Sequence, residues 1–82
     1  MVKDIIYLPK FSEAVRKTDG SYKNRIKNLI IKIVDNPQVG KPMQYDRKGT
    51  REVYLSPYRL SYSYNAQEDI LYFIDLYHKD EQ

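Results

Sequence analysis

The chain has 82 residues with no cysteine and no tryptophan, which leaves room for one domain with one core and excludes a disulfide framework or a thiolate metal site. Lys and Arg total 14 against 11 acidic residues, a formal net charge of +3 that suits a polyanionic partner without demanding one. The single histidine, His78, cannot build a zinc site alone. No apolar run approaches the roughly 20 residues needed to span a bilayer. Ile5 to Leu8 is too short for the h-region of a signal peptide, so the expectation is a soluble cytoplasmic protein with no membrane partner.

In chain order, Lys3 to Leu8 is rich in β-formers and ends at Pro9, which predicts a first strand. Phe11, Ala14, Val15 and Thr18 then recur at helical spacing, with Glu13, Arg16 and Lys17 on the other side. This is a short helix stopped by Asp19-Gly20. Ser21 reads as the N-cap of a second helix. Its stripe of Tyr22, Ile26, Leu29, Ile30, Ile33 and Val34 has a period of about 3.6 residues, and Asn36-Pro37 closes it.

Val39 to Gly49 holds two glycines, a proline and mixed charge, and is expected to be a connector. Three strands are predicted after it: Arg51 to Leu55, Tyr58 to Tyr64, and Ile70 to Tyr77. Ser56-Pro57 and Asn65 to Asp69 form the turns between them. The last strand is almost continuously apolar and therefore central. The tail from His78 to Gln82 is polar.

The order β-α-α-β-β-β predicts an α+β domain over residues 1–82, in which two helices cover one face of a four-stranded, largely antiparallel sheet. Alternation along each strand then sorts the side chains. If Val53, Leu55, Leu60 and Tyr62 meet the helices, the opposite face carries Glu52, Tyr54, Arg59, Ser61, Asp75, Tyr77 and Lys79. Cations, carboxylates and aromatics meet there on a rigid support. An arginine on such a face presents a planar fork of donors matched to phosphate. The plainer reading is a solvated strand cation. Lys41, Arg47, Lys48, Arg51 and Arg59 crowd one stretch whose only acids are Asp46 and Glu52, which favours a polyanion.

These pieces resemble the RelE/ParE superfamily of toxins from prokaryotic toxin–antitoxin modules. The resemblance covers nearly the whole chain. It rests on the element order, the helix ending in Asn36-Pro37, the Gly40-Lys41-Pro42 segment and the Lys48-Gly49-Thr50-Arg51 turn into a strand. Tyr58-Arg59-Leu60-Ser61-Tyr62 is its most specific piece, and Leu76-Tyr77-His78-Lys79 resembles the end of the RelE and YoeB branches. RelE-like members cut mRNA in the ribosomal A site without a metal or other cofactor. The 2′-hydroxyl attacks its own phosphate, a base takes its proton, cations hold the developing charge, and an acid protonates the leaving oxygen. The resemblance thus implies mRNA, the ribosome with its rRNA, and a short acidic cognate antitoxin as partners.

Carried over position by position, the resemblance makes Arg59 the phosphate-binding arginine. Lys79 stands where RelE-like members carry a catalytic arginine, and His78 where YoeB-like members carry a catalytic histidine. Lys41, Arg47, Lys48 and Arg51 fall among the basic residues that meet RNA. The chain also departs from the pattern. Glu52 and Tyr54 replace lysines of RelE-like members, Met43 and Gln44 replace the YoeB-like general-base glutamate, and Gln82 is reached before the C-terminal tyrosine typical of RelE. Glu52 can then serve as base, with His78 or Tyr77 as acid. Alternatively Glu52 is an ion-pair partner of Arg59 or Lys79, and His78 is a strand-end residue on the helix side with Leu76. Three further readings stay open: a ParE-like inhibitor of DNA gyrase, a degenerate member that only binds antitoxin, and an unrelated small basic RNA-binding domain.

Overall fold

The computed structural model describes residues 2–81; Gln82, the last residue of the polar tail, lies outside the described residues. Strand β1 (Asp4–Tyr7) leads into helix α1 (Pro9–Lys17), helix α2 (Gly20–Asp35), strand β2 (Lys41–Pro42), and the meander β3 (Arg51–Leu55), β4 (Tyr58–Asn65) and β5 (Ile70–His78). Short 3-10 turns lie at Tyr45–Arg47 and Lys79–Glu81. The sheet order is β1-β5-β4-β3-β2, with β1 parallel to β5 and every other pair antiparallel. The expected four strands are therefore five. The added one is the two-residue β2, where Lys41 pairs with Glu52 and Pro42 with Arg51. Two residues show no alternation, and proline is tolerated because β2 lies on the edge.

Local chemistry explains the helix boundaries. Pro9 occupies the first turn of α1, where a missing N–H costs nothing. The cap of α2 is Asp19 rather than the expected Ser21: its Oδ1 accepts the Ser21 N–H at 2.9 Å. The apolar stripe of α2 turns inward as predicted, but unevenly. Ile26 and Ile33 are buried, whereas Leu29 and Ile30 are half-buried. With Phe11 of α1 they pack on Leu60, Tyr62, Leu71, Phe73 and Leu76. Neither helix is long and apolar enough to cross a membrane.

Strand β5 does not keep one parity. Tyr62 pairs with Phe73 while Ser61 pairs with Asp75, so Ile74 is an extra residue and the strand is bulged there. Before the bulge Leu71 and Phe73 enter the core; after it Leu76 does. Asp75 and Tyr77 are thereby set opposite Ser61 and Arg59.

Tyr62, with no exposed surface, holds the connection after α2. Its hydroxyl donates to the Pro37 carbonyl at 2.7 Å and accepts the Gly40 N–H at 2.9 Å. Gly40 lies so close that a Cβ there would meet the Tyr62 hydroxyl at 2.7 Å. Arg51 closes the same connection from the other side, donating to the carbonyls of Gln38 at 3.1 Å and Gly40 at 2.7 Å.

Two predictions follow from this packing. Ile33→Ala, which empties a fully buried site, is expected to cost roughly 2–5 kcal/mol in urea unfolding. Ile31→Ala on the same helix, at 53% exposure, is expected to change stability by less than about 0.5 kcal/mol. Equal losses would place the core elsewhere. The second concerns alkali. Burial, only partly opposed by the Gly40 N–H, raises the Tyr62 pKa above its ordinary 10.0. The folded state thus holds this proton more tightly than the unfolded chain. The resulting stability is present below about pH 10 and is lost as pH climbs through the raised value. Tyr62→Phe is expected to be less stable at pH 8, because it strands the Gly40 N–H and the Pro37 carbonyl, and to show a shallower alkaline loss. An unchanged slope of stability against pH between 9 and 11 would contradict this.

Candidate functional site

The open face of the sheet carries the cluster that strand parity predicts, except Lys79, which lies beyond β5 in a 3-10 turn. In β3, Glu52 and Tyr54 alternate with the inward Val53 and Leu55; opposite them in β4 stand Ser61 and Arg59. Tyr77 of β5 pairs with Arg59 in turn. Three adjacent strands thus align Tyr54, Arg59 and Tyr77 in one row, with Glu52 beside it.

Glu52 is the centre of the cluster. Its side chain is only 7% exposed, yet it lies on the nominally open face. A carboxylate that deep needs partners. The Tyr77 hydroxyl donates to Oε2 at 2.6 Å, and Arg47 Nη1 donates to the same oxygen at 2.9 Å. Arg59 Nη1 stands 4.0 Å from Oε1. Arg47 also donates to the Tyr77 oxygen at 2.9 Å, and its guanidinium lies 5.6 Å from the Tyr77 ring centroid. The phenol therefore accepts from one ion and donates to the other. Its pKa is raised, first by burial and then by its hydrogen bond to Glu52, with Arg47 pulling the other way. The Arg47 pKa is raised too, mainly by the hydrogen bond with Tyr77.

Arg47 comes from the 3-10 turn, and the loop that carries it is tied at both ends. The Met43 N–H donates to the Thr50 carbonyl at 3.0 Å, and the Thr50 hydroxyl donates to the Arg47 carbonyl at 2.7 Å. Ser63 Oγ donates to the Gly49 carbonyl at 2.9 Å. Gly49, with φ 99°, supplies the left-handed step that returns the chain to β3.

The remaining sequence candidates divide. Lys41 shares the concavity that Glu52, Tyr54 and Arg59 line. Lys48 is exposed on the loop. Arg51 lies across from Tyr62 in the β3–β4 pairing and is engaged with the Gln38 and Gly40 carbonyls. His78 pairs with Tyr58, not Arg59. Its ring meets Tyr58 edge-on at 5.8 Å, Tyr58 meets Tyr22 of α2 at 5.3 Å, and Nδ1 accepts the Asp80 N–H at 3.2 Å. The Tyr22 contact puts this row on the helix side. Lys79 is exposed beside the β3–β4 turn, its N–H donating to the Pro57 carbonyl at 3.0 Å. Asp75 pairs with Lys10 at 3.3 Å.

Tyr45 is a feature that no sequence signal singles out. It is 89% exposed and has φ 59°, a left-handed backbone that a bulky residue rarely adopts. Among the described residues no group of three His, Asp or Glu side chains is arranged to hold a metal. Chemically, the cluster can hold an anion against Arg59 and Arg47 and can move a proton between a carboxylate and a phenol.

Comparison with known proteins gives this face a context. Among curated proteins, none matches the chain in sequence. Solved structures match its fold closely. The toxin–antitoxin complex RelBE2 from Mycobacterium tuberculosis contains a chain with a TM-score of 0.84 at 16% identity, covering 96% of this chain and 100% of that one. YafQ from E. coli strain BL21(DE3) gives 0.76 at 26% identity, covering 95% and 94%. The archaeal RelE–RelB complex from Pyrococcus horikoshii OT3 gives 0.78 at 14% identity and covers both chains fully, at 100% each. The sequence model described as the ParE toxin of type II toxin–antitoxin systems, parDE, matches residues 2–82. With that match over nearly its full length, on a fold shared with RelE and YafQ, the chain belongs to the RelE/ParE family of type II toxin–antitoxin toxins.

Proposed function

We propose that this toxin is a cytoplasmic endoribonuclease that cuts ribosome-bound mRNA through attack of a 2′-hydroxyl on the adjacent phosphate. The observation that carries this reading is the 2.6 Å hydrogen bond between Tyr77 and Glu52, set between Arg47 and Arg59 on the open sheet face. A strand pair that only needed to fold would not have to sink a carboxylate among guanidinium groups.

The chemistry uses the groups in place. Glu52 accepts the proton of the 2′-hydroxyl as the 2′-oxygen bonds to phosphorus. Arg59 and Arg47 hold the charge that gathers on the phosphoryl oxygens. As the P–O5′ bond breaks, Tyr77 gives its proton to the leaving oxygen. The products are a 2′,3′-cyclic phosphate and a 5′-hydroxyl. The proton on Glu52 then passes back to the Tyr77 oxygen, which resets both groups. A tyrosine of ordinary pKa 10.0 is protonated at neutral pH and the shift of Tyr77 is upward, so the form an acid needs is the one present. Lys79, Lys48 and Lys41 add positive potential along the RNA. Arg51 serves as a tether of the connection after α2, and His78 as part of the aromatic row on the helix side.

A second reading, inhibition of DNA gyrase without nuclease activity, is favoured by the match to the ParE toxin description. Under it the same cations meet a protein or DNA surface and the Glu52–Tyr77 pair is structural.

The antitoxin partner has its own surface in this proposal. Among the described residues, strand β1 has no neighbour on its outer edge. Beside it runs an apolar groove lined by Ile5, Tyr7, Ile30 and Ile31 and flanked by Lys23 and Lys27, with one acid, Asp35. An acidic antitoxin segment with alternating apolar residues complements that edge in hydrogen bonding, packing and charge. The RelE relatives solved as complexes with RelB support an antitoxin as the occupant.

Glu52→Gln and Tyr77→Phe are each expected to slow cleavage of translated mRNA by about 100-fold or more. Arg59→Ala is expected to do the same with little change in stability, and Arg59→Lys to recover part of the loss. Mapping RNA ends after brief induction reads all four. Breaks in DNA with intact messages would support the gyrase reading and sink this one. For the antitoxin surface, Ile31→Glu is expected to weaken antitoxin binding at least tenfold while leaving cleavage intact. Unchanged affinity would move the partner elsewhere.

A further inference from the structure

Tyr54 is conspicuous on the open face. It is 56% exposed, next to last in β3, and the catalytic proposal gives it no task. Among the described residues its hydroxyl makes one long contact, of 3.4 Å, with Ser56 Oγ. Its ring lies 6.0 Å from the guanidinium carbon of Arg59, its cross-strand partner. An aromatic ring left half in water gains nothing for the fold from that area.

The ring lines a concavity of about 440 Å³ between β2, β3 and β4. Val39 and Met43 supply apolar surface, Lys41 and Arg59 supply positive charge, and Glu52 reaches it from the catalytic cluster. An apolar slot with an aromatic wall and cations at its rim matches one ligand chemistry well. An unpaired nucleobase has two apolar faces, and its flanking phosphates are anionic. Stacking requires the base to be out of a duplex, which is the state of a single-stranded message.

We infer that this concavity is a nucleobase subsite in which one unpaired RNA base stacks on Tyr54, next to the phosphate held by Arg59. The inference rests on the endoribonuclease reading and extends it: Arg59 fixes the phosphate, and Tyr54 fixes which nucleotide stands beside it. Lys41, on the far strand, meets the next phosphate along. Tyr54 is thus a positioning residue. It holds the substrate in register with Glu52 and Tyr77 without exchanging a proton.

The chain has no tryptophan, so Tyr54→Trp introduces a lone indole reporter at the slot. The probe is a short single-stranded 2′-fluoro RNA, which lacks the attacking hydroxyl and binds without being cut. A matched set carries one abasic site walked along the strand. The expected result is indole quenching by the intact strand and a loss of about 10- to 100-fold in affinity when one particular base is missing. In the otherwise unaltered protein, Tyr54→Ala is expected to weaken the intact strand by the same factor and to leave the critical abasic strand unchanged. Tyr54→Phe is expected to bind as the original does. If Tyr54→Ala binds the intact strand as tightly as the original, or loses as much again when the base is removed, the subsite is wrong while RNA binding through Arg59 stands. If the original binds neither this RNA nor translating ribosomes, the nuclease reading and the subsite fall together.

Discussion

The Tyr62 hydroxyl is the contact on which the rest of the molecule depends. It ends a fully buried side chain, where a polar atom is tolerated only if hydrogen-bonded, and both its bonds go to the chain between α2 and β2. A glycine at position 40 is what lets the backbone come that close. Arg51 takes up the carbonyls on the other side of the same segment. With that connection pinned, β2 lies along β3, and the loop beyond it closes through Met43 and Thr50. Arg47 then has a defined place to reach from. The route from the core to the charged face is a chain of hydrogen bonds, with little apolar burial along the loop itself.

The charged face shows the opposite economy. Glu52 is nearly as deep as a core residue, but its direct partners are ionic and phenolic. Loss of Arg47 or Tyr77, which bond it directly, would leave a carboxylate short of partners in a place where water reaches it poorly, so these three groups act as a unit; Arg59, at 4.0 Å, stands farther off. Under the proposed nuclease reading, a phosphate entering beside Arg59 would compete with Glu52 for the same cation, draw positive charge away from the carboxylate and make it a better proton acceptor.

Much of this was legible in the chain. Alternation in β3 and β4 was enough to bring Glu52, Tyr54 and Arg59 to one face, because neither strand is interrupted in that stretch. Tyr77 joins them because it shares a parity with the polar Asp75, and both lie beyond the irregular residue, where alternation is unbroken. The inward turn of Phe73 was not derivable, since Tyr72, Phe73 and Ile74 are alike in hydrophobicity and periodicity says nothing about an extra residue among them. Strand β2 was hidden because two residues carry no pattern. Asp19 and Ser21 are both good caps, and only the backbone path chooses between them. Most instructive are Arg47 and Arg51. Both belong to one basic stretch, yet Arg47 reaches the open face from a loop while Arg51 points back to the helix connection. Charge clustering in sequence locates a region; strand parity and loop closure decide where each cation points.

The irregularity at Ile74 divides the longest strand into two jobs. A regular β5 that placed Leu71 and Phe73 inward would also have placed Asp75 and Tyr77 inward. The single unpaired residue reverses that. Its first half answers to the packing of α1 and α2, and its second half to whatever occupies the open face. Insertion or deletion of one residue near position 74 would therefore act as a frameshift in space, exchanging Tyr77 and His78 between the open face and the helix side.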